Sequence, residues 1–399
     1  MNQLIPLEEA LETILAGITP ACQTERLEVT QALGRILAEP FIATIDSPPY
    51  TNSAMDGFAL RASDSGGVLQ VSQRIAAGQV PEPLAFGTAA RIFTGAQLPD
   101  GADTVVMQEE CEVEGDRVRV PARREVGDNV RLRGHEIKAG ELLLEAGERL
   151  GPPALGLLAS QGLANVLCAK KPRVALLQSG DELVEPGSTT LPAGAIYNSN
   201  RSLLEGLVLQ AGGQVVGVWH LADTFDATSE ALQQAVDAAD VVITTGGVSV
   251  GEEDHVKPAI AALGELHLWR LALKPGKPFA FGRIAGKPII GLPGNPSSVL
   301  VTFSLLARPI LLALQGARDL APFSLWLTAG FERRGGLRAE YLRGSIVSEG
   351  GVSKVYPIAN QSSGALYAAT QSDVLIVAPV GQDIAEGDSV EVIPLKSLF

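Results

Sequence analysis

The chain of 399 residues is longer than one hydrophobic core usually supports, so its length predicts roughly two to four domains. Its content of 46% hydrophobic and 19% charged residues is typical of a packed globular protein. Its net charge of −14 disfavours nucleic acids and acidic membranes as partners, because no global positive field attracts them. Any anionic ligand therefore needs a local basic cluster.

The cysteines and histidines are scattered, and no two cysteines form a Cys-X-X-Cys pair. This spacing predicts neither a disulfide framework nor a thiolate or histidine metal site, and it is typical of a protein of the reducing cytoplasm. No basic region followed by an apolar stretch begins the sequence, so no signal peptide is predicted. The most apolar run, residues 299–314, is interrupted by Arg308-Pro309 and predicts a buried helix rather than a membrane span.

The amino-terminal part predicts a mostly-β domain inserted into a second element. Apolar residues after Pro6 have the spacing of an amphipathic helix. Residues 41–139 contain short β-branched runs between Gly, Pro and Asp turns, which predicts an inserted domain of small strands. Residues 1–40 and 140–170 are then expected to form an elongated helical and extended domain for linking and dimerisation, which surrounds the insertion in sequence.

Residues 171–318 alternate between strand and helix patterns, which predicts right-handed crossovers and a mostly parallel sheet with helices on both faces. In such three-layer α/β domains ligands bind beyond the carboxyl ends of the strands. Short strands and Gly turns at residues 319–399 predict a carboxy-terminal β-barrel. The expected strands are 174–178, 214–219, 241–245, 266–273, 279–282 and 288–291, and the expected helices are 201–211, 228–239, 256–263 and a long apolar helix from Ser297.

The loop Thr-Thr-Gly-Gly-Val-Ser-Val-Gly-Glu-Glu-Asp at residues 244–254 follows one of these strands. Gly246 and Gly247 permit a tight turn, and the next amides, with Ser249, are able to face a phosphate. Acids such as Asp254 beside a phosphate imply an intervening divalent cation, usually Mg2+. The alternative is an ordinary strand-to-helix turn whose acids favour the helix dipole.

Two further acids follow predicted strands at the same sheet edge. Glu182 lies in Ser-Gly-Asp-Glu-Leu at residues 179–183, and Asp223 follows the strand at 214–219. Each acid alone is typical of a turn or a helix cap. Together with Asp254 they predict a cation site on one rim of the sheet.

Opposite charge comes from Lys-Pro-Gly-Lys-Pro at residues 274–278, where Lys274 and Lys277 are able to bracket one oxyanion. The alternative is a solvated turn with surface lysines. The segment Gly-Leu-Pro-Gly-Asn-Pro-Ser-Ser at 291–298 leads through Pro293 and Pro296 into a helix start, where exposed amides and two hydroxyls offer an oxyanion site. The alternative there is a simple helix cap.

In the inserted domain, Asn-Ser-Ala-Met-Asp-Gly-Phe at residues 52–58 contains an Asp-Gly pair typical of a hairpin turn. Met55 and Phe58 are expected in the core. Nothing in this segment alone predicts chemistry.

These segments, with Arg-Ile-Phe-Thr-Gly-Ala at residues 91–96, occur in a definite order along nearly the whole chain. Together they resemble the molybdopterin molybdenumtransferase family, which comprises the MoeA-type molybdenum insertases and the E domain of gephyrin. The resemblance rests on six segments: 52–58, 91–96, 179–183, 246–254, 274–278 and 291–296. It implies a MogA-like α/β domain and Mg2+-assisted insertion of molybdate into adenylated molybdopterin, which releases AMP.

The resemblance also implies roles for individual residues. The dithiolene sulfurs belong to the substrate, so the chain needs no metal-binding cysteines. Glu182, Asp223 and Asp254 are implied to hold Mg2+ beside the adenylate phosphates. Asp56 and Thr94 match residues that the family needs for activity. The molybdate partners implied by similarity are Lys274, Lys277, Ser298, Arg343 and Ser363.

The family is homodimeric, with the inserted domain of one protomer closing the cleft of the other; a molybdopterin adenylyltransferase and acceptor molybdoenzymes are further candidate partners. The chain departs from the family pattern at His135-Glu136, where Gly-Glu-Asp is common after the arginine, and at Ser179, where Thr is more usual. Ser362 and Ser363 align only to within one residue. Two alternatives remain: an adenylyltransferase-like enzyme that processes a nucleotide or pterin, and a noncatalytic anion-binding scaffold.

Overall fold

A computed structural model describes residues 4–20, 23–221, 224–247 and 255–398. By their internal contacts the residues form two compact units, each treated separately below. The larger unit comprises Met1–Glu39, Ala146–Leu155 and Asn165–Phe399, and the smaller, here called the β unit, comprises Pro40–Glu145 and Gly156–Ala164. The four-part division expected from the sequence stays a prediction.

The described chain starts with helix α1 (Leu7–Leu15), which follows Pro6 as its amino-terminal cap. Glu8 and Glu9 occupy the first turn, where carboxylates interact favourably with the helix dipole. Its apolar stripe is buried in the larger unit, as the spacing predicts. Strand β1 (Thr24–Glu28) comes next and pairs antiparallel with a later strand, Asn165–Ala169.

The β unit consists mainly of short strands, which confirms the predicted β character of this region. Six of them form one sheet in the order β7-β4-β6-β5-β9-β8. The strands are β2 (Phe41–Ile42), β3 (Asn52–Ser53), β4 (Gly57–Leu60), β5 (Val68–Ile75), β6 (Thr88–Ile92), β7 (Thr104–Met107), β8 (Glu112–Glu114), β9 (Arg117–Arg119), β10 (Val130–Arg131) and β11 (Leu142–Leu144).

The chain continues with helix α2, whose residues 152–155 belong to the larger unit and 156–160 to the β unit, and then with an α/β region of the larger unit built on one six-stranded sheet. The elements are α2 (Pro152–Ser160), β12 (Asn165–Ala169), β13 (Arg173–Ser179), β14 (Leu183–Val184), β15 (Ile196–Tyr197), α3 (Ser199–Gln210), β16 (Gln214–Leu221), α4 (Phe225–Ala238), β17 (Val241–Thr245), α5 (Val256–Leu263), β18 (Glu265–Arg270), β19 (Leu273–Lys274), β20 (Pro278–Ile284), β21 (Lys287–Leu292), α6 (Pro296–Thr302) and α7 (Arg308–Leu314). The sheet order is β16-β13-β17-β21-β20-β18, with the first three pairings parallel and the last two antiparallel.

Both faces of this sheet are covered, as the strand–helix alternation predicts. Leu176 of β13 packs in a core with α3, α6 and α7, whereas its neighbours Ala175 and Leu177 pack in a separate core with α4 and α5. Successive strand residues point to opposite faces, so a strand that is apolar at every position must be buried on both. The continuous apolar run of β13 is explained by this three-layer arrangement.

The buried helix predicted for the apolar run at residues 299–314 is confirmed, and Arg308-Pro309, which interrupts that run in sequence, does not end the helix. A π-helical turn, Phe303–Ala307, joins α6 to α7, and Pro309 occupies the first turn of α7. Such a turn accommodates a proline inside a helix, because proline lacks the amide hydrogen for the usual hydrogen bond and its ring clashes with the carbonyl one turn earlier. Pro296–Leu314 is long and apolar enough to cross a membrane, but 94% of its most apolar window is buried inside the fold. It is a core helix.

The carboxy-terminal strands close into the predicted β-barrel. They are β22 (Leu325–Ala329), β23 (Ala339–Glu349), β24 (Val352–Pro357), β25 (Val374–Ala378) and β26 (Ser389–Pro394), with helix α8 (Leu366–Thr370) between β24 and β25. The pairings run β23-β24-β22-β26-β25 and return from β25 to β23. Strand β19 also pairs with β23, with Lys274 opposite Glu340. That pairing attaches the barrel to the α/β region.

Candidate active site

A cavity of about 800 Å3 lies at the carboxyl ends of the central parallel strands, where the sequence predicts ligand binding. It collects several segments that the sequence singles out and adds residues of the barrel. Its lining includes Ser179, Glu182, Asn198, Asn200, Gly246, Gly247, Lys274, Pro293, Pro296, Ser298, Arg338, Gln361, Ser362 and Ser363. The volume is ample for an organic ligand together with a small oxyanion.

The glycine turn after β17 brings three strand ends together. Gly246 has a φ of +81°, and a Cβ there would lie 2.6 Å from the hydroxyl of Ser179 at the end of β13. Its amide donates a hydrogen bond to the carbonyl of Leu292 at the end of β21 (3.3 Å). Only glycine permits both the positive φ and this approach. Gly247, with a φ of +64°, continues the turn along the cavity wall.

Glu182 is the one member of the predicted acid rim whose position the described residues include. Gly180 has a φ of +136°, and a Cβ there would lie 2.7 Å from a carboxylate oxygen of Glu182. The carboxylate therefore folds back over the glycine beside the cavity. Asp223, Ser249 and Asp254 lie outside the described residues. Among the residues described, no group of three or more His, Cys, Asp or Glu side chains is arranged to hold a metal ion.

The two lysines of the 274–278 segment have different environments. Lys274 lines the cavity, and its Nζ lies 2.9 Å from Oε1 of Glu340, which Arg333 also contacts. Burial and the nearby guanidinium groups of Arg333 and Arg338 lower the pKa of Lys274 below its ordinary value. Lys277 is exposed and is not part of the cavity lining. Its role in oxyanion binding stays a prediction.

The start of α6 differs from the expected open anion site. The amide of Ser297 donates to the carbonyl of Ser363 (2.9 Å), and its hydroxyl donates to the carbonyl of Ala365 (3.0 Å). Ser297 is fully buried by these contacts, so neither group is exposed as the sequence interpretation assumed. Pro296 has no amide hydrogen to offer. Ser298 lines the cavity and is the serine of this pair available to a ligand.

Arg343 lies behind the loop that carries Ser362 and Ser363, and its side chain is only 1% exposed. Its Nη2 donates to the carbonyls of Asn360 (3.2 Å) and Ser362 (3.1 Å). Nε and Nη1 are buried without a hydrogen-bond partner, and no carboxylate in the described part of the chain contacts the guanidinium. Burial lowers the pKa of Arg343. The structure thus holds an uncompensated positive charge next to the cavity wall.

Asp56 and Thr94, which are 38 residues apart in sequence, meet in the β unit. Asp56 Oδ1 accepts hydrogen bonds from the amide (2.8 Å) and the hydroxyl (2.7 Å) of Thr94. These bonds, helped by the charge of Arg91, lower the pKa of Asp56, so it is ionised near neutral pH. Phe58 is in the core as expected, but Met55 is 43% exposed, so its predicted burial is wrong.

Comparison with known proteins identifies the family. The MoeA N-terminal region (domain I and II) matches residues 5–162, a probable molybdopterin binding domain matches 175–313, and the MoeA C-terminal region (domain IV) matches 328–395. The molybdopterin molybdenumtransferase of Haemophilus influenzae is 36% identical over 405 residues, which cover 99% of this chain and 100% of the relative. The chain belongs to the MoeA family of molybdopterin molybdenumtransferases.

Other relatives of this MoeA-family chain agree. The molybdopterin molybdenumtransferase of a Nostoc species is 37% identical over 388 residues, covering 93% of this chain and 89% of the relative. The crystal structure of the molybdopterin biosynthesis moeA protein of Pyrococcus horikoshii OT3 superposes with a TM-score of 0.85 at 28% identity, covering 98% of this chain and 100% of that one. The chain is therefore a transferase of molybdenum cofactor biosynthesis, and the predicted multidomain α/β plus β fold is confirmed.

Sequence reasoning missed the asparagines at the start of α3 in this MoeA-family chain. Asn198 is the amino-terminal cap, and its Nδ2 donates to Gln178 (2.6 Å) and Glu185 (3.0 Å). Asn200 Nδ2 donates to the carbonyl of Gly294 (2.6 Å), which fixes the proline-rich loop. An Asn cap was the available signal, but the predicted helix began at residue 201, beyond both asparagines. Arg338 was also missed, because its position depends on the pairing of β19 with β23.

Proposed function

We propose that this MoeA-family chain inserts molybdate into adenylated molybdopterin and releases AMP, with Mg2+ bound beside the phosphates. The observation that carries the proposal is the cationic half of the cavity, where Lys274 lines the wall and the uncompensated Arg343 lies behind it. A buried charge without a partner is costly unless a ligand compensates it. A tetrahedral dianion supplies that compensation.

Hydroxyl groups add directional contacts to this charge. Ser298, Ser362 and Ser363 line the same cavity, and serine hydroxyls both donate to and accept from oxyanions. Molybdate would sit between the α6 start and the barrel loop, next to Lys274. The side chain of Lys277 is exposed, so it would have to turn toward the ligand to contact the molybdate.

The opposite wall suits a phosphate and a cation. Gly246, Gly247 and Glu182 line this wall, so a phosphate there would lie against the glycine turn with one carboxylate beside it. Mg2+ typically retains waters and uses one or two carboxylates plus substrate phosphates, so this donor set fits the ion. Glu182, with Asp223 and Asp254, would hold Mg2+, and the ion would supply Lewis-acid polarisation of the phosphate.

The sulfur ligands of molybdenum would come from the substrate. Of the two cysteines described, Cys168 is buried in the larger unit and Cys111 lies in the β unit, and neither lines the cavity. Burial and the charge of Glu110 raise the pKa of Cys111 to about 11, which disfavours the thiolate needed to bind a metal. Neither of these two cysteines would therefore supply a thiolate to the metal.

The active form would be a cytoplasmic homodimer. Asp56 and Thr94 would act on the cavity of the partner subunit, with the ionised Asp56 carboxylate held in place by Thr94. A molybdopterin adenylyltransferase would deliver the substrate, and molybdoenzymes would accept the product.

A reconstitution tests the proposal. Purified protein is given adenylated molybdopterin, molybdate and Mg2+, and AMP and active cofactor are measured together. We expect AMP release only when molybdate is present. Release of AMP without molybdate, or no cofactor formed, refutes the insertase assignment. Consumption of ATP and free molybdopterin would instead identify an adenylyltransferase.

A further inference from the structure

Arg338 is a cation of the cavity to which the sequence assigned no role. It precedes β23, and its side chain lines the cavity beside Lys274. Its single hydrogen bond in the described part of the chain runs from Nη1 to the carbonyl of Leu273 and is long, at 3.4 Å. A guanidinium carries five N–H donors, so most of its binding capacity is unused.

The two cations of the cavity lining differ in their partners. Lys274 is paired with Glu340 at 2.9 Å, so part of its charge is already compensated. The same carboxylate is shared with Arg333. Arg338 has no carboxylate partner among the residues the structure describes. Of these two cations, Arg338 is therefore the one whose charge is less compensated by protein carboxylates.

Resting on the proposed function, we propose that Arg338 is a direct ligand of the anionic group bound next to Lys274. Its planar fork matches two oxygens of one oxyanion, which a lysine ammonium does not match. A dianion held by Lys274 and Arg343 would still leave about one negative charge unbalanced, because Glu340 offsets the charge of the lysine. The anion is either molybdate or a phosphate of the organic substrate, since both present tetrahedral oxygens.

Arg334 provides a matched control, because it is an exposed arginine on the same connection between β22 and β23 and lies outside the cavity lining. The variants Arg338→Gln, Arg338→Lys and Arg334→Gln are compared with the wild-type protein. Dissociation constants are measured by calorimetry with two probes separately, molybdate and AMP. Circular dichroism and the unfolding midpoint verify that each variant is folded.

We expect Arg338→Gln to raise the dissociation constant of at least one probe about tenfold, the loss typical of one charge-assisted hydrogen bond. Arg338→Lys should recover part of the loss, and Arg334→Gln should bind as the wild type does. The probe that loses affinity identifies the anion that Arg338 holds.

Unchanged affinity of Arg338→Gln for both probes overturns the inference and leaves the insertase proposal standing. Conversely, wild-type protein that binds AMP but not molybdate contradicts the proposed function. In that case, weaker AMP binding by Arg338→Gln would still support the role of Arg338 as an anion ligand. Wild-type protein that binds neither probe overturns both.

Discussion

Two buried serines on one continuous helix differ in a way that permits a sharp stability test. Ser297 in α6 is 0% exposed, and its hydroxyl donates to the carbonyl of Ala365 at 3.0 Å. Ser304, in the π-helical turn, is 1% exposed, but its hydroxyl has no hydrogen-bond partner. The substitutions Ser297→Ala and Ser304→Ala remove the same atom from similarly buried positions. Only the first removes a hydrogen bond.

The expected magnitudes follow from this difference. Ser297→Ala loses the hydrogen bond from its hydroxyl to the carbonyl of Ala365, which should lower the free energy of unfolding by about 0.5–1.5 kcal/mol. Ser304→Ala removes a buried hydroxyl that is not satisfied, so its effect should be near zero or stabilising by up to about 1 kcal/mol. Urea unfolding followed by circular dichroism measures both values.

The same pair tests the link between α6 and the loop that carries Ser362 and Ser363. Ser297 holds the carbonyls of Ser363 and Ala365, so Ser297→Ala should loosen the segment carrying Ser362 and Ser363. Molybdate affinity should fall in Ser297→Ala and remain at the wild-type value in Ser304→Ala. Equal destabilisation by the two substitutions would refute the hydrogen-bond argument, and unchanged molybdate affinity in Ser297→Ala would refute the positioning role.

Two further predictions concern charge. Arg343→Met removes a buried cation without a counter-charge, which offsets the loss of its hydrogen bonds to the carbonyls of Asn360 and Ser362. The free energy of unfolding should therefore change by no more than about 1 kcal/mol, while molybdate binding weakens at least about tenfold. Retained molybdate affinity would show that this charge does not serve the ligand. Thr94→Ala removes one of the two hydrogen bonds that depress the pKa of Asp56. The carboxylate of Asp56 then protonates at higher pH, so the acid limb in the pH profile of kcat/KM should shift to higher pH. An acid limb that does not shift would show that Asp56 is not the group whose ionisation the limb reports.

Local patterns predicted the central α/β region well. The structure has β17 at Val241–Thr245 and α5 at Val256–Leu263, the predicted bounds in both cases. Continuous β-branched runs specify strands buried on both faces, and apolar spacing specifies the helix. The two-residue strands β14 and β15 were missed, because so short a pairing is decided by tertiary contacts rather than by periodicity.

The candidate site was predictable only where strand ends determine it. The carboxyl ends of parallel strands share one edge, so the strand pattern alone predicts that Glu182 and Gly246 lie near each other. The environment of Lys274 was not predictable, because Glu340 reaches it through the parallel pairing of β19 with β23 across 66 residues. The burial of Ser297 was missed for the same reason: its partners belong to a distant loop.

These long-range contacts divide the cavity into two chemically distinct halves. The glycine turn, Glu182 and the asparagines come from the α/β region, and they suit phosphate and a hard cation. The barrel and its loops supply the other half. Arg338 and Arg343 bring positive charge to it, Glu340 balances the charge of Lys274, and the serines at 362–363 add hydroxyl groups. Under the proposed function, the α/β region alone would therefore keep the side of the cavity proposed for phosphate but lose most of the groups proposed to hold molybdate. The pairing of β19 with β23 joins the barrel to the α/β region, and it thereby adds the cationic side of the cavity on which the proposed insertion depends.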